Sequence, residues 1–361
     1  MLDLLAPIAA RVGIDVPASH RRGIALVGAG AIVEVAHLPA YQGLGLDLRG
    51  VYDVKPDRAR DLAAEFGIER VYSSLEELLA DDAVEVVDVA VVPWAQPDVL
   101  RQVIAAGKHV LGQKPFAPDL ATARELIGLA DAAGVKVAVN QQLRWDEGIA
   151  AAREMVRAGW IGTPTTMSFT VDISTDWTAW DWLVRSDRLE IMYHSIHYLD
   201  AVRSILGDPR RVFATASRRG GQVATGETRT ISTLVYDGDT RAVLHVNHEN
   251  QGGDQRAEFR IDGTEGAIRG TLGLLYDYPH GRPDTLEVYS RVVPTDGWLA
   301  YPVTQRWIPW AFGGPMAGLL AWIADGTPAP TAAADNIRTL ALVHALYGSI
   351  DDGEARVVEA G

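Results

Sequence analysis

The stretch Gly23-Ile24-Ala25-Leu26-Val27-Gly28-Ala29-Gly30-Ala31-Ile32-Val33 decides how this chain is read. An apolar run ends in two closely spaced glycines and passes straight into a helical pattern over 32–41. Glycines let a backbone approach a pyrophosphate, and the N-terminus of the next helix offers free N–H groups and the positive end of its dipole. Asp53 stands twenty residues beyond Val33, at the end of a second apolar run over 46–52. A carboxylate there can accept hydrogen bonds from ribose hydroxyls. The expected ligand is a dinucleotide held by Gly28, Ala29, Gly30, Ala31, Ile32 and Asp53. NAD is expected over NADP, because Asp53 would repel a 2′-phosphate and only Lys55 and Arg58 lie near to compensate. The third glycine of the usual fingerprint is Val33 here.

Outward from that loop, residues up to about 140 alternate short apolar runs with helical patterns, as parallel strands joined by right-handed crossovers would. Strands are predicted at 24–27, 48–52, 71–72, 86–91, 109–111 and 136–139. Helices are predicted at 32–41, 57–66, 75–80, 97–106 and 120–133, with stops at Gly67, Gly107 and Gly134. Ligands of such sheets lie beyond the carboxyl ends of the strands. The residues placed there are Asp53, Pro93-Trp94, Gln113-Lys114-Pro115 and Asn140-Gln141-Gln142. Pro93, Trp94, Gln113 and Lys114 are therefore added to the cofactor set. Lys114 is also a candidate proton donor or acceptor for a reacting hydroxyl.

Composition sets limits on partners. The chain has 361 residues, 48% of them hydrophobic, which suggests two domains with ample core. A net charge of −14 argues against nucleic acid and against an anionic membrane surface as partners. The absence of cysteine excludes disulfides and thiolate chemistry. No export signal is read at the N-terminus, where Leu4, Leu5, Ile8 and Val12 have helical spacing, so a cytoplasmic location is expected.

Three short motifs, in order, then match a known family. Gly107-Lys108-His109-Val110-Leu111-Gly112-Gln113-Lys114-Pro115 resembles the Gly-Lys-His-Val-…-Glu-Lys-Pro signature of the Gfo/Idh/MocA oxidoreductases. Tyr193-His194-Ser195-Ile196-His197-Tyr198-Leu199-Asp200 resembles that family's Asp-x-Gly-x-His-x-x-Asp helix, and Ile261-Asp262-Gly263-Thr264-Glu265-Gly266 its strand–turn–strand. The resemblance implies an α/β Rossmann domain, a doubly wound parallel sheet, followed by an α+β domain with a large, mostly antiparallel open sheet. It implies an NAD(P)-dependent dehydrogenase acting on a hydroxyl of a sugar, polyol or sugar derivative, and a homodimer or homotetramer. The expected division is an N-terminal extension over 1–21, a dinucleotide domain over 22–141, and a substrate and oligomerisation domain over 142–361. Carried over by position, the catalytic set is Lys114, Tyr193 and His197, with His197 expected to transfer the proton, Lys114 to polarise the oxygen and Tyr193 to donate a hydrogen bond. Two departures stand out, Gln113 for the family's Glu and Tyr193 for its Asp. A neutral residue at 113 favours the lysine cation less, and a neutral phenol at 193 leaves His197 free to act as base. Two other readings remain: cleavage of a glycosidic bond with NAD recycled in each turnover, and a catalytically silent sensor.

From 142 onward the pattern becomes two helices, over 149–158 and 191–206, and a series of alternating strands with a hairpin turn at Asp237-Gly238. A final helix is predicted over 335–347. Along 190–206, Tyr193, His197 and Asp200 share a polar stripe, with Glu190 one turn before. Glu190, His194 and His197 could also be spaced for zinc, but no outside ligand is visible and no metal is expected. Trp177, Trp180 and Trp182 crowd a loop with Asp172, Asp176, Asp181 and Arg185, either as a sugar-stacking wall or as a hydrophobic plug. Trp307 and Trp310 are a weaker second wall. The candidate substrate-binding residues are thus Lys114, Arg144, Asp176, Trp177, Tyr193, His194 and His197.

Overall fold

The buried apolar runs of the N-terminal half assemble as strands of one parallel sheet. In the computed structural model, which describes residues 2–276, 278 and 281–359, these are β1 (Gly23–Val27), β2 (Asp47–Tyr52), β3 (Val86–Val89), β4 (His109–Gly112) and β5 (Val137–Val139). Their order is β2-β1-β3-β4-β5, and every pairing is parallel. All five residues of β1 are buried, as expected when helices cover both faces of a parallel sheet. The predicted sixth strand at 71–72 does not form. Val71 makes one isolated bridge to Val51, and Ser74 then caps the helix Leu75–Leu79 by accepting from the Glu77 N–H. The turn into that capped helix leaves no length for a strand.

The helices run where their apolar spacing predicts. Asp119 caps Leu120–Ala133 through the Thr122 N–H at 2.8 Å, and Gly67, Gly107 and Gly134 follow their helices at φ 66°, 73° and 69°. One core of this sheet buries Leu100, Val103, Leu126 and Phe116 together with Ala333, Ile337 and Leu340 from the end of the chain. The compact unit is accordingly Ile14–Trp145 with Ile308–Leu340, a wider set than residues 22–141. The helix Gly313–Asp325 belongs to it and is not among the predicted elements; its start, Gly313-Gly314-Pro315, is made of weak helix formers. Proline is tolerated in a first helical turn. Gly314 lies so close to Trp145 that a Cβ there would fall 2.1 Å from the indole.

The second compact unit is built on Asp146–Trp307 with flanking pieces up to Gly13 and from Ala341. Its strands are β6 (Pro164–Asp172), β7 (Arg211–Ser217), β8 (Arg229–Val235), β9 (Arg241–Asn247), β10 (Arg256–Gly263), β11 (Gly266–Thr271), β12 (Leu286–Ser290), β13 (Leu299–Tyr301) and β14 (Arg356–Val357). They form one sheet in the order β13-β12-β11-β10-β6-β9-β8-β7-β14, antiparallel throughout except where β6 pairs with β9. β8 and β9 meet at the predicted Asp237-Gly238 turn, with Gly238 at φ 71°. Burial alternates along β7, β8 and β9, so one face is covered and the other open. Helices Glu147–Arg157 and Ile196–Leu206 lie on the covered face. The segment set apart as an N-terminal extension includes a helix of this unit: Leu2–Val12 packs on Glu147–Arg157 and buries Leu5, Ile8 and Val12. Strands β12, β13 and β14 were not anticipated, being short and flanked by polar segments. Among the described residues no helix is long and apolar enough to cross a membrane.

Candidate functional site

Gly28 closes β1 with its N–H bonded to the Tyr52 carbonyl at 2.8 Å and its backbone at φ 109°. A Cβ at this position would sit 2.3 Å from the Ala90 carbonyl oxygen, so only glycine fits. At Gly30 a Cβ would meet nothing within 4 Å, and the Val33 N–H turns back to the Gly30 carbonyl at 2.9 Å as the helix begins. Ala31 and Ile32 form its first positions. Asp53 braces the loop from the end of β2: Oδ2 accepts from the Ala29 N–H and Oδ1 from the Lys55 N–H, each at 2.7 Å. Each carboxylate oxygen retains lone-pair capacity for a hydroxyl. A tight glycine cradle, open space outside it, a helix N-terminus and this carboxylate fit a dinucleotide.

Beyond β3, Pro93 and Trp94 lie in a turn, with the Trp94 side chain 65% exposed. Beyond β4, Gln113, Lys114 and Pro115 are held by Gln96, a buried residue at the start of the helix Gln96–Ala105. Gln96 Oε1 accepts from the Gln113 N–H at 2.9 Å, while its Nε2 donates to the Gln113 and Pro115 carbonyls at 2.8 and 2.9 Å. Burial lowers the Lys114 ammonium from its ordinary 10.5 to about 7. The direction is the one expected from Gln113, but the cause is desolvation. Beyond β5, Arg144 donates to the Pro330 carbonyl at 2.6 Å and to Asp335 at 2.8 Å, so its guanidinium braces its own unit.

In the second unit the polar helix departs from a regular stripe. Ile191–Ser195 is a π-turn, and the α-helix Ile196–Leu206 follows it. Such a bulge changes the angle between residues on either side of it. Tyr193 and His197 consequently have different surroundings. The Tyr193 ring stands edge-on to Trp182 at 5.2 Å, its hydroxyl engages Ser186, and burial raises its pKa. The buried His197 ring stands edge-on to Trp307 at 5.9 Å. Glu190 does not join Tyr193. It is fully buried, accepts from Ser195 Oγ at 2.5 Å and from Thr230 Oγ1, and is raised by desolvation to about 7. Among the described residues no group of His, Cys, Asp or Glu could hold a metal ion, so Glu190, His194 and His197 do not form one.

Trp177 is 3% exposed and packs with Leu183, Leu189 and Ala224, against which Trp180, Trp182 and Tyr193 also lie. This is the packing of a hydrophobic plug. Asp176 is exposed and caps the turn after it, accepting from the Thr178 N–H at 3.0 Å. One further residue is not among the candidates drawn from the sequence. His248, just past β9, lies with its ring 4.7 Å from His194 and 5.0 Å from Trp177, and its Nδ1 bonds Thr175 Oγ1 at 2.8 Å. Burial pushes it down to about 3, so it is a neutral imidazole. Spacing along the chain carries no signal of this setting, because β9 ends at Asn247, just before His248.

Comparison with known proteins agrees with this geometry. Residues 22–141 match the oxidoreductase family with an NAD-binding Rossmann fold, and residues 149–269 match the GFO/IDH/MocA C-terminal domain. A D-apiose dehydrogenase of Paraburkholderia graminis is 30% identical over 93% of this chain and 88% of its own length. A 1,5-anhydro-D-fructose reductase of Ensifer adhaerens is 27% identical over 68% of this chain and 74% of its own. An oxidoreductase from Agrobacterium radiobacter, solved with NAD+, L-tartaric acid and magnesium, superposes with a TM-score of 0.83 at 25% identity, covering 94% of this chain and 98% of that one. With the parallel sheet, its glycine loop and both halves of the chain matched in order, this protein belongs to the Gfo/Idh/MocA family of NAD(P)-dependent oxidoreductases.

Proposed function

We propose that this enzyme oxidises a hydroxyl group of a sugar, polyol or sugar derivative, or reduces the corresponding carbonyl, with NAD as its cofactor. The observation that carries the reading is the Gly28–Gly30 cradle braced by Asp53, joined in one unit to a lysine whose burial brings it near neutrality. NAD when bound supplies the acceptor for the hydride. Gly28, Ala29, Gly30, Ala31 and Ile32 would lie along its pyrophosphate, Asp53 on its ribose, and Pro93, Trp94, Gln113 and Lys114 along the rest. Lys114 handles the proton of the reacting oxygen, being able to hold or release one near pH 7. His197 is the further proton-transfer residue, and Tyr193, kept a neutral phenol by burial, serves as a hydrogen-bond donor. His194, next to the neutral His248, is assigned to the substrate. Arg144, Asp176 and Trp177 have less support, since each is engaged in capping, bracing or packing.

Relatives named for apiose and anhydrofructose support a carbohydrate-like substrate. The test is a screen of sugars and polyols with NAD and with NADP, following the absorbance of the reduced nicotinamide. Turnover with NAD and at least one such substrate is expected, with NAD binding more tightly than NADP in calorimetry. Comparable or tighter binding of NADP would defeat the Asp53 argument. Tightly retained NAD, glycoside cleavage and no net reduction would defeat the dehydrogenase reading.

A further inference from the structure

The replacement of the signature's acidic residue by Gln113 has a structural counterpart within the same unit. His37 ends the π-turn Val33–His37 and is fully buried. Its Nδ1 lies 2.6 Å from Asp88 Oδ2, and the Tyr41 hydroxyl donates to that same oxygen at 2.7 Å. Asp88 is a buried residue in the middle of β3. Burial and the neighbouring carboxylate raise Tyr41 well above its ordinary pKa, so the phenol remains a donor. On the other side, His37 Nε2 lies 2.8 Å from Gln113 Nε2 and 3.1 Å from Asn140 Nδ2. The Phe312 ring stands 5.2 Å away.

The orientation of the Gln113 amide follows from its other end. Gln113 Oε1 accepts from the Lys114 N–H at 3.1 Å, so Nε2 must be the group that faces His37. An amide NH2 can only donate, which makes His37 Nε2 an acceptor and places the ring proton on Nδ1, towards Asp88. One chain of hydrogen bonds thus runs from Asp88 through His37 and Gln113 to the backbone of Lys114. We propose that His37, oriented by Asp88 and Tyr41, is a positioning residue that sets Gln113 and through it Lys114, and that this network requires a neutral amide at position 113. The proposal rests on Lys114 being the proton-handling residue. A carboxylate at 113 would set an acceptor against the bare Nε2. It could be accommodated only by the uptake of a proton, on His37, on Asp88 or on the new carboxylate itself.

The titratable groups facing His37 are Asp88 and Tyr41; Gln113, Asn140 and Phe312 also lie against it. The first measurement uses the native chain labelled with 15N-histidine, with the His37 signals assigned by their loss in His37→Phe. At neutral pH a protonated Nδ1 and a bare Nε2 are expected, and a protonated Nε2 would overturn the proposal. The second is the pH profile of kcat. Gln113→Glu should lose about 10–100-fold at neutral pH, the scale of a small displacement near the chemistry, and recover part of it as pH falls. Native kcat with the native pH profile in Gln113→Glu would overturn the proposal, and should that variant fail to fold, the nitrogen signals of the native chain decide. A native chain inactive on every hydroxylated substrate, yet showing the bare Nε2, would sink the dehydrogenase reading and leave the network supported.

Discussion

Lys114 carries its charge against the cost of burial, and the consequence can be measured as stability. A base whose folded pKa is depressed contributes stability in full above its unfolded value near 10.5, and loses that contribution as pH falls through about 7. Unfolding free energy should therefore contain a component that rises with pH across that window. Lys114→Met should flatten it, as read by urea titrations at several pH values; an unchanged slope would show that the ammonium is well solvated. In catalysis, Lys114→Ala should lower turnover by about 10²–10⁴ with NAD binding nearly unchanged in calorimetry. Near-native turnover at saturating substrate would make the lysine structural. The other departure from the signature, Tyr193, is a half-buried phenol whose pKa is raised by desolvation. That argues against its acting as a base. Tyr193→Phe should therefore cost only the few-fold expected of one lost hydrogen bond, and His197→Ala much more. The reverse order of kcat values would assign the proton transfer to the tyrosine.

At the scale of an element, the π-turn Ile191–Ser195 is held from two sides by buried acids. Glu190 takes the hydroxyls of Ser195 and Thr230, linking the turn to β8. Glu227 accepts from the Leu189 and Ile191 N–H groups at 3.1 and 3.3 Å and from the Tyr347 hydroxyl at 2.6 Å. Tyr347 in turn accepts from the Met192 N–H at 3.0 Å. Tyr347→Phe breaks both bonds of that phenol, taking this acceptor from the Met192 N–H and one of several donors from Glu227, so it should cost about 1–3 kcal/mol in urea unfolding. Glu190 has the opposite linkage from Lys114. Its folded pKa is raised from 4.5 to about 7, so its stabilising contribution is whole below 4.5 and is lost as pH rises through 7. Glu190→Gln should remove that fall, giving a smaller loss of stability between mildly acidic and neutral pH than the native chain shows. An identical pH dependence in the variant would count against a raised carboxyl.

For the whole molecule, the open face of the nine-stranded sheet is the surface expected to join copies of the chain. Phe213, Ile231 and Val243 point to it from adjacent strands and are 40%, 51% and 39% exposed. Interleaved with them are Thr215, Thr233 and His245, a mixed surface of the kind found between subunits. Light scattering at micromolar concentration should give a dimer or tetramer, and Ile231→Asp should shift it towards the monomer. A native monomer would leave this face without the expected partner.

The amino-acid order alone determined the parallel half, because its information is local. A buried strand, two glycines, a helix start and an acid after the second strand need no distant partner to be recognised. The alternating strands from 211 to 271 were legible for the same reason, as were the left-handed stops at Gly67, Gly107 and Gly134. Tertiary structure decided whatever depends on contacts between distant residues. It put Leu2–Val12 and the helix Gly313–Asp325 into packed units, and it reduced the strand predicted at 71–72 to one bridge. The π-turn separated the surroundings of Tyr193 from those of His197, although helical spacing placed them on one stripe. His37 reaches Asp88, Gln113 and Asn140 across 51, 76 and 103 positions of chain. Periodicity carries no signal of such pairs, because hydrogen bonds between buried side chains are set by where the strands end in space and not by spacing along the chain.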